Sequence, residues 1–270
     1  MATFIVTVSG TPTSDYILGD AALDFIRGEG GDDTIYGYEG IDRLFGGDGN
    51  DNLWGGRGRD QLYGDIGNDI LRGGDGADHL RGGEGNDVLH GDSGKDVLYG
   101  DAGNDILYGG NDNGILNGGS GQDKLYGSWN EDRLNGGDGN DLLSGRTGND
   151  TLSGGAGNDR LVSGEGYDTF IFNTALDAKT NVDKLSDFNP WADRISLKSA
   201  IFKGIGGRGA LKDAAFWTGS KAHDASDRII YNKKTGELYF DQDGSGSAHH
   251  QIKFATIGKM DLSAAAFWVL

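Results

Sequence analysis

The sequence has no cysteine and only 2 prolines among its 270 residues. Without cysteine it can form neither disulfide bonds nor thiolate metal sites, so its redox compartment cannot be read from bridges. The near absence of proline makes proline-rich disorder and collagen poor explanations for the 51 glycines. The spacing of the glycines must therefore explain why there are so many.

Long apolar runs are also missing. Residues 1–14 lack the basic segment of a secretory signal peptide, and their apolar stretch Phe4-Ile5-Val6 is too short for its hydrophobic core. Nowhere does an apolar segment approach the length of a transmembrane helix. We therefore expect no cleaved amino-terminal signal peptide and no membrane-spanning helix.

Negative charge is abundant but unevenly placed. Residues 1–168 contain 31 acidic and 11 basic side chains, whereas residues 169–270 contain 11 acidic and 13 basic ones. A field of this sign repels the phosphates of nucleic acids and anionic lipids, and it attracts cations. The composition therefore predicts a cation as the first partner and argues against nucleic acid.

Aspartate recurs every nine residues. From Asp15 to Asp168 this spacing defines 18 positions, and 17 of them are aspartate, Gly114 being the exception. An apolar residue follows each of the 18 by two positions, and glycine precedes all but one by five positions, the exception being Ser163. A pattern held in register over so many units indicates a structural repeat.

Several units match the full pattern G-G-x-G-x-D-x-U-x, in which U is a large apolar residue. Residues 46–54 and 136–144 are two examples. Over about residues 10–168 the chain therefore resembles the repeats-in-toxin (RTX) family of hemolysin-type calcium-binding repeats. That resemblance implies a calcium-binding parallel β-roll and type I secretion.

The physics of the repeat independently favours stacking. A glycine-rich turn of six residues followed by a strand of three cannot bury an apolar face alone, but stacked turns can. Two nonapeptides make one coil, which places residues 18 positions apart above one another at a strand spacing of about 4.8 Å. We predict an all-β protein: a parallel β-roll with about 18 residues per coil, followed by a small carboxy-terminal β capping module.

Three regions follow from where the pattern starts and stops. Residues 1–23 hold degenerate units and are expected to cap the amino-terminal end, as the terminal units of solenoids do. Residues 24–170 are expected to form the calcium-binding β-roll. Residues 171–270 lose the glycine period and are expected to form the carboxy-terminal β cap, with the type I secretion signal.

Stacked coils bring like charges together. Asp51 should lie over Asp69, and Asp69 over Asp87, so their carboxylates repel each other unless a cation lies between them. Calcium accepts six to eight oxygen ligands in flexible geometry, whereas magnesium requires a tighter octahedron. We therefore expect several calcium ions per chain, and a disordered repeat region without calcium. Extracellular calcium modules bind with Kd of about 10⁻⁴ to 10⁻³ M, so the roll should stay open in the cytosol.

The family resemblance implies which atoms bind calcium: the aspartate carboxylate and the carbonyl oxygens of the residues two and four positions before it. Gly83, Gly85 and Asp87 form one such set. The candidate calcium ligands are Gly31, Asp33, Gly40, Asp42, Gly47, Gly49, Asp51, Gly56, Gly58, Asp60, Asp65, Gly67, Asp69, Gly74, Gly76, Asp78, Gly83, Gly85, Asp87, Asp92, Gly94, Asp96, Asp101, Gly103, Asp105, Gly119, Gly121, Asp123, Gly137, Gly139, Asp141, Gly148, Asp150, Gly155, Gly157, Asp159 and Asp168.

The two rows of aspartates differ in continuity. The row that runs from Asp33 to Asp159 in steps of 18 residues is unbroken, so it is expected to carry the better sites. In the other row Gly114 replaces an aspartate, and the unit that ends at Asp132 lacks the inner glycines. Sites between Asp96 and Asp132 are therefore expected to be weak or empty.

Short strands are expected in the last hundred residues. Residues 228–231 and 237–240 flank a turn that contains Gly236 and predict a β-hairpin. The apolar end, residues 262–270, resembles the uncleaved type I secretion signal of the family. A closing strand or helix without an export role is the alternative, and both can hold together.

Two polar segments near the carboxy terminus are not expected to bind metal. Residues 241–246 carry oxygen donors, but Ile252 stands where a calcium loop has glutamate, so a turn is favoured over a further site. His249 and His250 are adjacent, and on a strand they would point to opposite faces.

Aromatic side chains follow several core positions. Tyr36, Trp54, Tyr108 and Tyr126 do so on one side of the roll, where they should face outward. They are candidates for binding a polysaccharide or another partner, although packing between neighbouring strands is the simpler explanation.

No nucleophile, base and orienting group recur in a recognisable constellation, so no enzymatic activity is predicted. We expect a secreted, extracellular calcium-binding protein that meets the type I secretion apparatus during export and acts at the cell surface or in the medium. The overall plan also resembles rhizobial nodulation-type proteins, which implies cation-channel formation or host-membrane interaction as an alternative. A polysaccharide-binding surface protein is the remaining alternative.

Overall fold

The computed structural model describes residues 6–246 and 249–270. Residues 1–5 of the expected amino-terminal cap lie outside the described residues. The regular structure is almost entirely β-strand, with two short 3-10 helices at Asp213–Ala215 and Ala264–Ala266. Among the described residues no helix is long and apolar enough to span a membrane.

The strands are numbered in chain order. They are β1 (Val6–Ser9), β2 (Tyr16–Leu18), β3 (Asp24–Gly30), β4 (Thr34–Gly40), β5 (Arg43–Asp48), β6 (Asn52–Gly58), β7 (Gln61–Ile66), β8 (Ile70–Asp75), β9 (His79–Glu84), β10 (Val88–Ser93), β11 (Val97–Ala102), β12 (Ile106–Tyr108), β13 (Ile115–Ser120), β14 (Lys124–Tyr126), β15 (Arg133–Asp138), β16 (Leu142–Thr147), β17 (Thr151–Ala156), β18 (Arg160–Glu165), β19 (Thr169–Phe172), β20 (Asp183–Leu185), β21 (Arg194–Leu197), β22 (Gly209–Ala210), β23 (Phe216–Thr218), β24 (Ile229–Asn232), β25 (Glu237–Phe240), β26 (Ile252–Thr256) and β27 (Phe267–Val269).

Successive strands of the roll alternate between two sheets. Within the described chain, sheet A has 13 strands in the order β1-β3-β5-β7-β9-β11-β13-β15-β17-β19-β21-β27-β22. Sheet B has 14 strands in the order β2-β4-β6-β8-β10-β12-β14-β16-β18-β20-β26-β25-β24-β23. Each coil of the chain adds one strand to each sheet, and the paired roll strands are parallel, which confirms the predicted parallel β-roll.

The register between coils follows the nine-residue repeat. In sheet A, Ile26 pairs with Leu44 and Leu44 pairs with Leu62. In sheet B, Leu53 pairs with Leu71 in the same way. Neighbouring strands are therefore offset by 18 residues, as the sequence predicts.

The core is a double ladder of single side chains between the sheets. Every apolar residue two positions after a loop position, from Ile26 to Phe170, is at most 2% exposed. Aliphatic side chains fill the roll, and larger aromatic ones, including Phe202 and Phe254, thicken the core at its carboxy-terminal end. Since each coil adds only two such side chains, apolar burial alone gives a thin core.

Most roll strands are longer than the three residues expected from the repeat. In the pairing of β9 with β11, Arg81 lies opposite Tyr99, and pairing resumes with Gly83 opposite Asp101. The backbone of the turn residues therefore joins the parallel ladder as well. This follows from exact stacking, because the second half of each turn also lies directly beneath its counterpart in the next coil.

Both sheets continue past the last nonapeptide. Phe170 of β19 pairs with Ile195 of β21, and Leu161 of β18 pairs with Leu185 of β20. These pairs are separated by 25 and 24 residues in place of 18, and β27 and β26 then add further parallel strands. The expected boundary at residue 170 thus coincides with longer loops inside continuous sheets.

The carboxy-terminal hairpin forms where the sequence indicates. Strands β24 and β25 are antiparallel, and Gly236 in their turn has a φ of 80°. The apolar end contains β27, which lies between β21 and β22 and buries Phe267 and Val269. This segment is therefore a closing strand, whereas its part in export stays a prediction.

Candidate metal centres

The loop aspartates form two buried rows, one along each edge of the roll. Row 1 contains Asp33 and continues to Asp159, and row 2 contains Asp42 and continues to Asp168, both in steps of 18 residues. Every loop aspartate from Asp24 to Asp168 is at most 3% exposed. Burying a carboxylate is costly unless its oxygens are paired. The contacts of the two oxygens therefore decide what these loops can bind.

From Asp33 to Asp168, one carboxylate oxygen, Oδ1, accepts a hydrogen bond from the backbone of the coil before it, whereas Oδ1 of Asp24 has no partner among the described residues. The backbone N–H of Asp51 donates to Oδ1 of Asp69 at 2.7 Å, and that of Asp60 donates to Oδ1 of Asp78 at 2.8 Å. Hydrogen bonds to a charged oxygen are stronger than neutral ones, so this ladder offsets part of the burial cost. The sequence indicated stacked carboxylates but not these backbone donors.

The other oxygen, Oδ2, is left without a donor in most loops. Fourteen loop aspartates have a buried Oδ2 that finds no hydrogen-bond partner among the described residues: Asp33, Asp42, Asp51, Asp60, Asp69, Asp78, Asp87, Asp96, Asp105, Asp123, Asp141, Asp150, Asp159 and Asp168. A buried charged acceptor without a partner costs more free energy than a lost hydrogen bond. These oxygens require a cation or a proton.

Further oxygens converge on the same loops. A Cβ atom placed on Gly55 would lie 2.6 Å from Oδ2 of Asp60 and 2.7 Å from the carbonyl oxygen of Gly73 in the next coil. The carbonyl oxygen of Gly58 and Oδ1 of Asp78 likewise both face the α-carbon of Gly76. Carboxylate and carbonyl oxygens from successive coils are hard ligands, and their number and flexibility suit Ca²⁺. The residues present therefore fit a calcium ion.

Burial raises the pKa of the row carboxylates. The pKa of Asp78 rises to about 7, because desolvation outweighs the backbone hydrogen bond from Asp60 and nearby carboxylates add to the rise. The pKa of Asp105 also rises to about 7, and that of Asp87 rises to about 6, again mainly through desolvation. Without a cation, many of these groups would hold protons near neutral pH.

Row 2 is interrupted at Gly114. Glycine offers no carboxylate to the N–H of Asp96 in the preceding coil, and a cavity of about 370 Å³ opens there between Lys95 and Asp132. The N–H of Gly114 still donates to Oδ1 of Asp132 at 2.5 Å. Oδ2 of Asp132 accepts a hydrogen bond from the N–H of Ser128 at 2.5 Å, so its carboxylate is already satisfied.

The rows extend beyond the repeats through two aspartates that the sequence analysis missed. The N–H of Asp159 donates to Oδ1 of Asp183, and that of Asp168 donates to Oδ1 of Asp193, both at 3.2 Å. Asp183 and Asp193 are buried and stand two positions before the core residues of β20 and β21. Both carry the aspartate-x-apolar triplet of the repeats, which could have identified them, but they do not lie at the nine-residue spacing.

A separate acidic cluster lies in the connection between β23 and β24. Ligand atoms of His223, Asp224 and Asp227 lie within 4.8 Å of one another. Oδ2 of Asp227 accepts the backbone N–H groups of both His223 and Asp224, at 2.5 and 2.9 Å. Backbone hydrogen bonds within the cluster therefore hold its side chains together. Residues 241–246, the polar segment for which a turn was predicted, form part of the connection between β25 and β26.

The predicted outward-facing aromatics stack on one another. The rings of Tyr36 and Trp54 lie 4.5 Å apart and 9° from parallel. His90 stacks on Tyr108 at 4.7 Å, and Tyr108 stacks on Tyr126 at 5.2 Å. These rings are half-buried by the neighbouring strands, so packing accounts for them, and partner binding stays a prediction.

Comparison with known proteins agrees with the geometry of the loops. The model of the RTX calcium-binding nonapeptide repeat matches residues 9–44, 36–71, 72–107, 108–143 and 135–170. No curated protein matches the chain. A solved structure that matches is a repeat subunit, AlgE6R3, of the mannuronan C5-epimerase of Azotobacter vinelandii, with 29% identity over 54% of this chain and 77% of that chain and a TM-score of 0.37. Because the family matches cover residues 9–170 without a gap, this chain belongs to the RTX calcium-binding nonapeptide repeat family.

Proposed function

We propose that the chain is a secreted calcium-binding protein whose roll folds when extracellular Ca²⁺ occupies its loops after type I export. It acts non-enzymatically, at the cell surface or in the medium. The observation that carries this proposal is the set of fourteen buried Oδ2 atoms that have no donor among the described residues. The ligands of each ion would be loop carboxylates and carbonyls such as those of Asp78 and Gly58.

Folding and calcium binding are one process in this proposal. The ligands of a site come from coils 18 residues apart, so the site does not exist in an extended chain. A bound cation would neutralise carboxylates that otherwise repel one another along each row. The thin core adds only two apolar side chains per coil, so the free energy of ion binding supplies much of the stability.

Export in an open state follows from the same coupling. Extracellular modules bind calcium with Kd of about 10⁻⁴ to 10⁻³ M, so cytosolic calcium would leave the repeats unfolded. The closing strand β27 would be free in that open chain and buried only after folding. An export signal within residues 262–270 could therefore be read before the roll forms.

A non-enzymatic role is consistent with the chemistry of the buried acids. The groups with the most strongly raised pKa values, among them Asp78, Asp105 and Asp141, all lie in the rows. Their partners are backbone N–H groups and other oxygens, not a nucleophile. Each therefore suits ion binding and no acid–base reaction.

A cluster of aromatic rings favours polysaccharide binding as a second candidate function. Tyr36 and Trp54 form a flat stack, and Tyr38 packs on Tyr36 at 5.9 Å while remaining 49% exposed. The flat face of an aromatic ring can pack against the apolar face of a sugar ring. Retention of the calcium-loaded chain on a glycan array, lost in a Tyr38→Ser variant, would support this role. No retention on any glycan would exclude it.

Equilibrium dialysis tests the calcium proposal. At calcium concentrations of a few millimolar, well above the expected Kd, several ions should bind per chain, and equal magnesium should not replace them. Binding of no calcium, or equal binding of magnesium, would contradict the proposal.

The export step has its own test. The full chain is produced in a bacterial host with and without a type I exporter, in medium that contains calcium. It should accumulate in the medium only with the exporter. Retention in cells whose exporter secretes a known substrate would contradict the export step without touching calcium binding.

A further inference from the structure

The loop aspartates divide into two kinds by the partner of Oδ2. In fourteen loops Oδ2 has no donor among the described residues. In five others it accepts a hydrogen bond from the backbone N–H of the residue four positions earlier. These five donor and acceptor pairs are Thr11 with Asp15, Asp20 with Asp24, Ser128 with Asp132, Asn189 with Asp193, and His223 with Asp227.

Among these nineteen aspartates, the backbone conformation four positions before the carboxylate separates the two kinds, whereas Asp183 belongs to neither. In all fourteen open loops the residue at this position has a positive φ, as in Gly74 with 107° before Asp78. None of the five donors, Ser128 among them, has a positive φ. The φ angle of this residue sets the direction of its N–H group relative to the following loop. In the loops where φ is not positive, the N–H points toward the aspartate carboxylate four positions later and donates to it. In the loops where φ is positive, it does not.

Glycine alone does not explain the open kind. Six residues with a β-carbon also take a positive φ at this position, for example Tyr38 at 78°, Asp65 at 75° and Arg146 at 79°. That conformation is unfavourable for residues with side chains. The open geometry therefore occurs also where the residue type disfavours it.

A backbone N–H and a cation are alternative partners for the same oxygen. A hydrogen bond from N–H to a carboxylate is charge-assisted and satisfies the oxygen without an ion. Where this bond exists, a cation would have to displace it. Where it is missing, the buried oxygen remains uncompensated until a cation arrives.

We infer that only the open carboxylates bind calcium, and that the self-capped Asp132 is a calcium-independent spacer within row 2. This inference rests on the proposed function. With Gly114 one coil earlier, Asp132 divides row 2 into a calcium-binding stretch up to Asp96 and another from Asp150 onward. The self-capped loops at Asp15 and Asp193 likewise mark ends of the rows that close without an ion.

Paired substitutions test this assignment. Asp78→Asn removes an open carboxylate, and Asp132→Asn removes a self-capped one, with the same change of charge. Native mass spectrometry at saturating calcium should find one or more ions fewer in Asp78→Asn and the wild-type number in Asp132→Asn. Equal loss in both variants would overturn the inference while leaving calcium binding intact. No ions in the wild-type chain would instead overturn the proposed function.

A gain of binding provides a second test at the same loop. The double variant S128G/N130G restores the glycine pattern of residues 127–132 around Trp129. Terbium, a luminescent substitute for calcium, should then give emission sensitised by Trp129, identified as the part that Trp129→Phe abolishes. The wild-type chain should give weaker Trp129-dependent emission, from an ion at the open Asp150 loop, which stacks on the Trp129 loop. Equal Trp129-dependent emission in the wild type and the double variant would contradict the inference.

Discussion

The backbone N–H of Asp69 donates a 2.8 Å hydrogen bond to Oδ1 of Asp87, which lies 18 residues later and one coil above it. The same relationship joins Asp87 to Asp105 at 2.8 Å. Each aspartate is thus both a link between coils and the holder of an uncompensated Oδ2. In the proposed function, the carboxylates that align the roll are thus also the ones that bind the cation.

Asp87→Asn should weaken calcium-dependent folding. Asparagine keeps an oxygen for the N–H of Asp69 but loses the charge on the Oδ2 position. Contacts to charged groups contribute about 1.5–3 kcal/mol, which corresponds to about 10- to 150-fold in the Kd of one ion. Because several ions bind in one transition, the calcium concentration at the folding midpoint should rise by a smaller factor, about threefold. Asp75→Asn is the matched control, because Asp75 is exposed and outside the rows. Equal shifts in the two variants would show that overall charge alone is responsible.

Gly114→Asp should repair row 2. An aspartate there could accept the N–H of Asp96, and Gly110 four positions earlier has a φ of 104°, which belongs to the open kind. The new Cβ would meet chiefly the flexible end of Leu116, at 2.9 Å. Calcium titration followed by native mass spectrometry should show at least one additional ion. An unchanged ion count would argue that the loop geometry around residue 114 is closed to calcium.

Gly82→Ala should destabilise the roll. A Cβ on Gly82 would overlap Oδ2 of Asp87 and lie 2.8 Å from the carbonyl oxygen of Gly100, both parts of a candidate calcium site. Overpacking of this kind typically costs about 1–3 kcal/mol. Thermal unfolding in calcium should therefore show a lower Tm. Gly207→Ala is the control, since a Cβ there would meet no atom within 4 Å, and a Tm unaffected in both would refute the overlap.

Calcium-free protein should gain structure as pH falls. The pKa of Asp42, Asp69 and Asp141 rises to about 7 in the folded roll through desolvation, against about 3.9 in an unfolded chain. A folded-state pKa above the unfolded one contributes stability that is complete below the unfolded pKa and is lost as pH rises through about 7. Circular dichroism of the dialysed chain between pH 8 and about 5.5, above its pI of about 4.5, should show increasing β signal. Less β structure at pH 5.5 than at pH 8 would contradict the shifts.

Periodicity predicted the repeat region because its spacing is strict. One aspartate every nine residues fixes the 18-residue offset seen between Leu44 and Leu62, and it identifies the core. The same reliance on spacing hid Asp183 and Asp193, whose loops are longer, although both carry the aspartate-x-apolar triplet. After residue 170 the nine-residue spacing ends, so it no longer predicts the length of the loops that precede Asp183 and Asp193.

Contacts within the loops were only partly predictable. The family pattern pointed to Gly83, Gly85 and Asp87, but not to the backbone donor on Oδ1. The self-capping of Asp132 by Ser128 accompanies a φ angle that is not positive, and residues such as Tyr38 show that residue type alone does not determine this angle. The two kinds of loop therefore emerge only in three dimensions.

The most direct test of the account is far-ultraviolet circular dichroism during a calcium titration, with magnesium as the parallel titrant. The fourteen uncompensated oxygens predict a cooperative transition from coil to β structure that calcium produces, magnesium does not, and chelation reverses. A β spectrum that is already complete after chelation at neutral pH, and unchanged by added calcium, would contradict the central claim that this roll is folded by its ions.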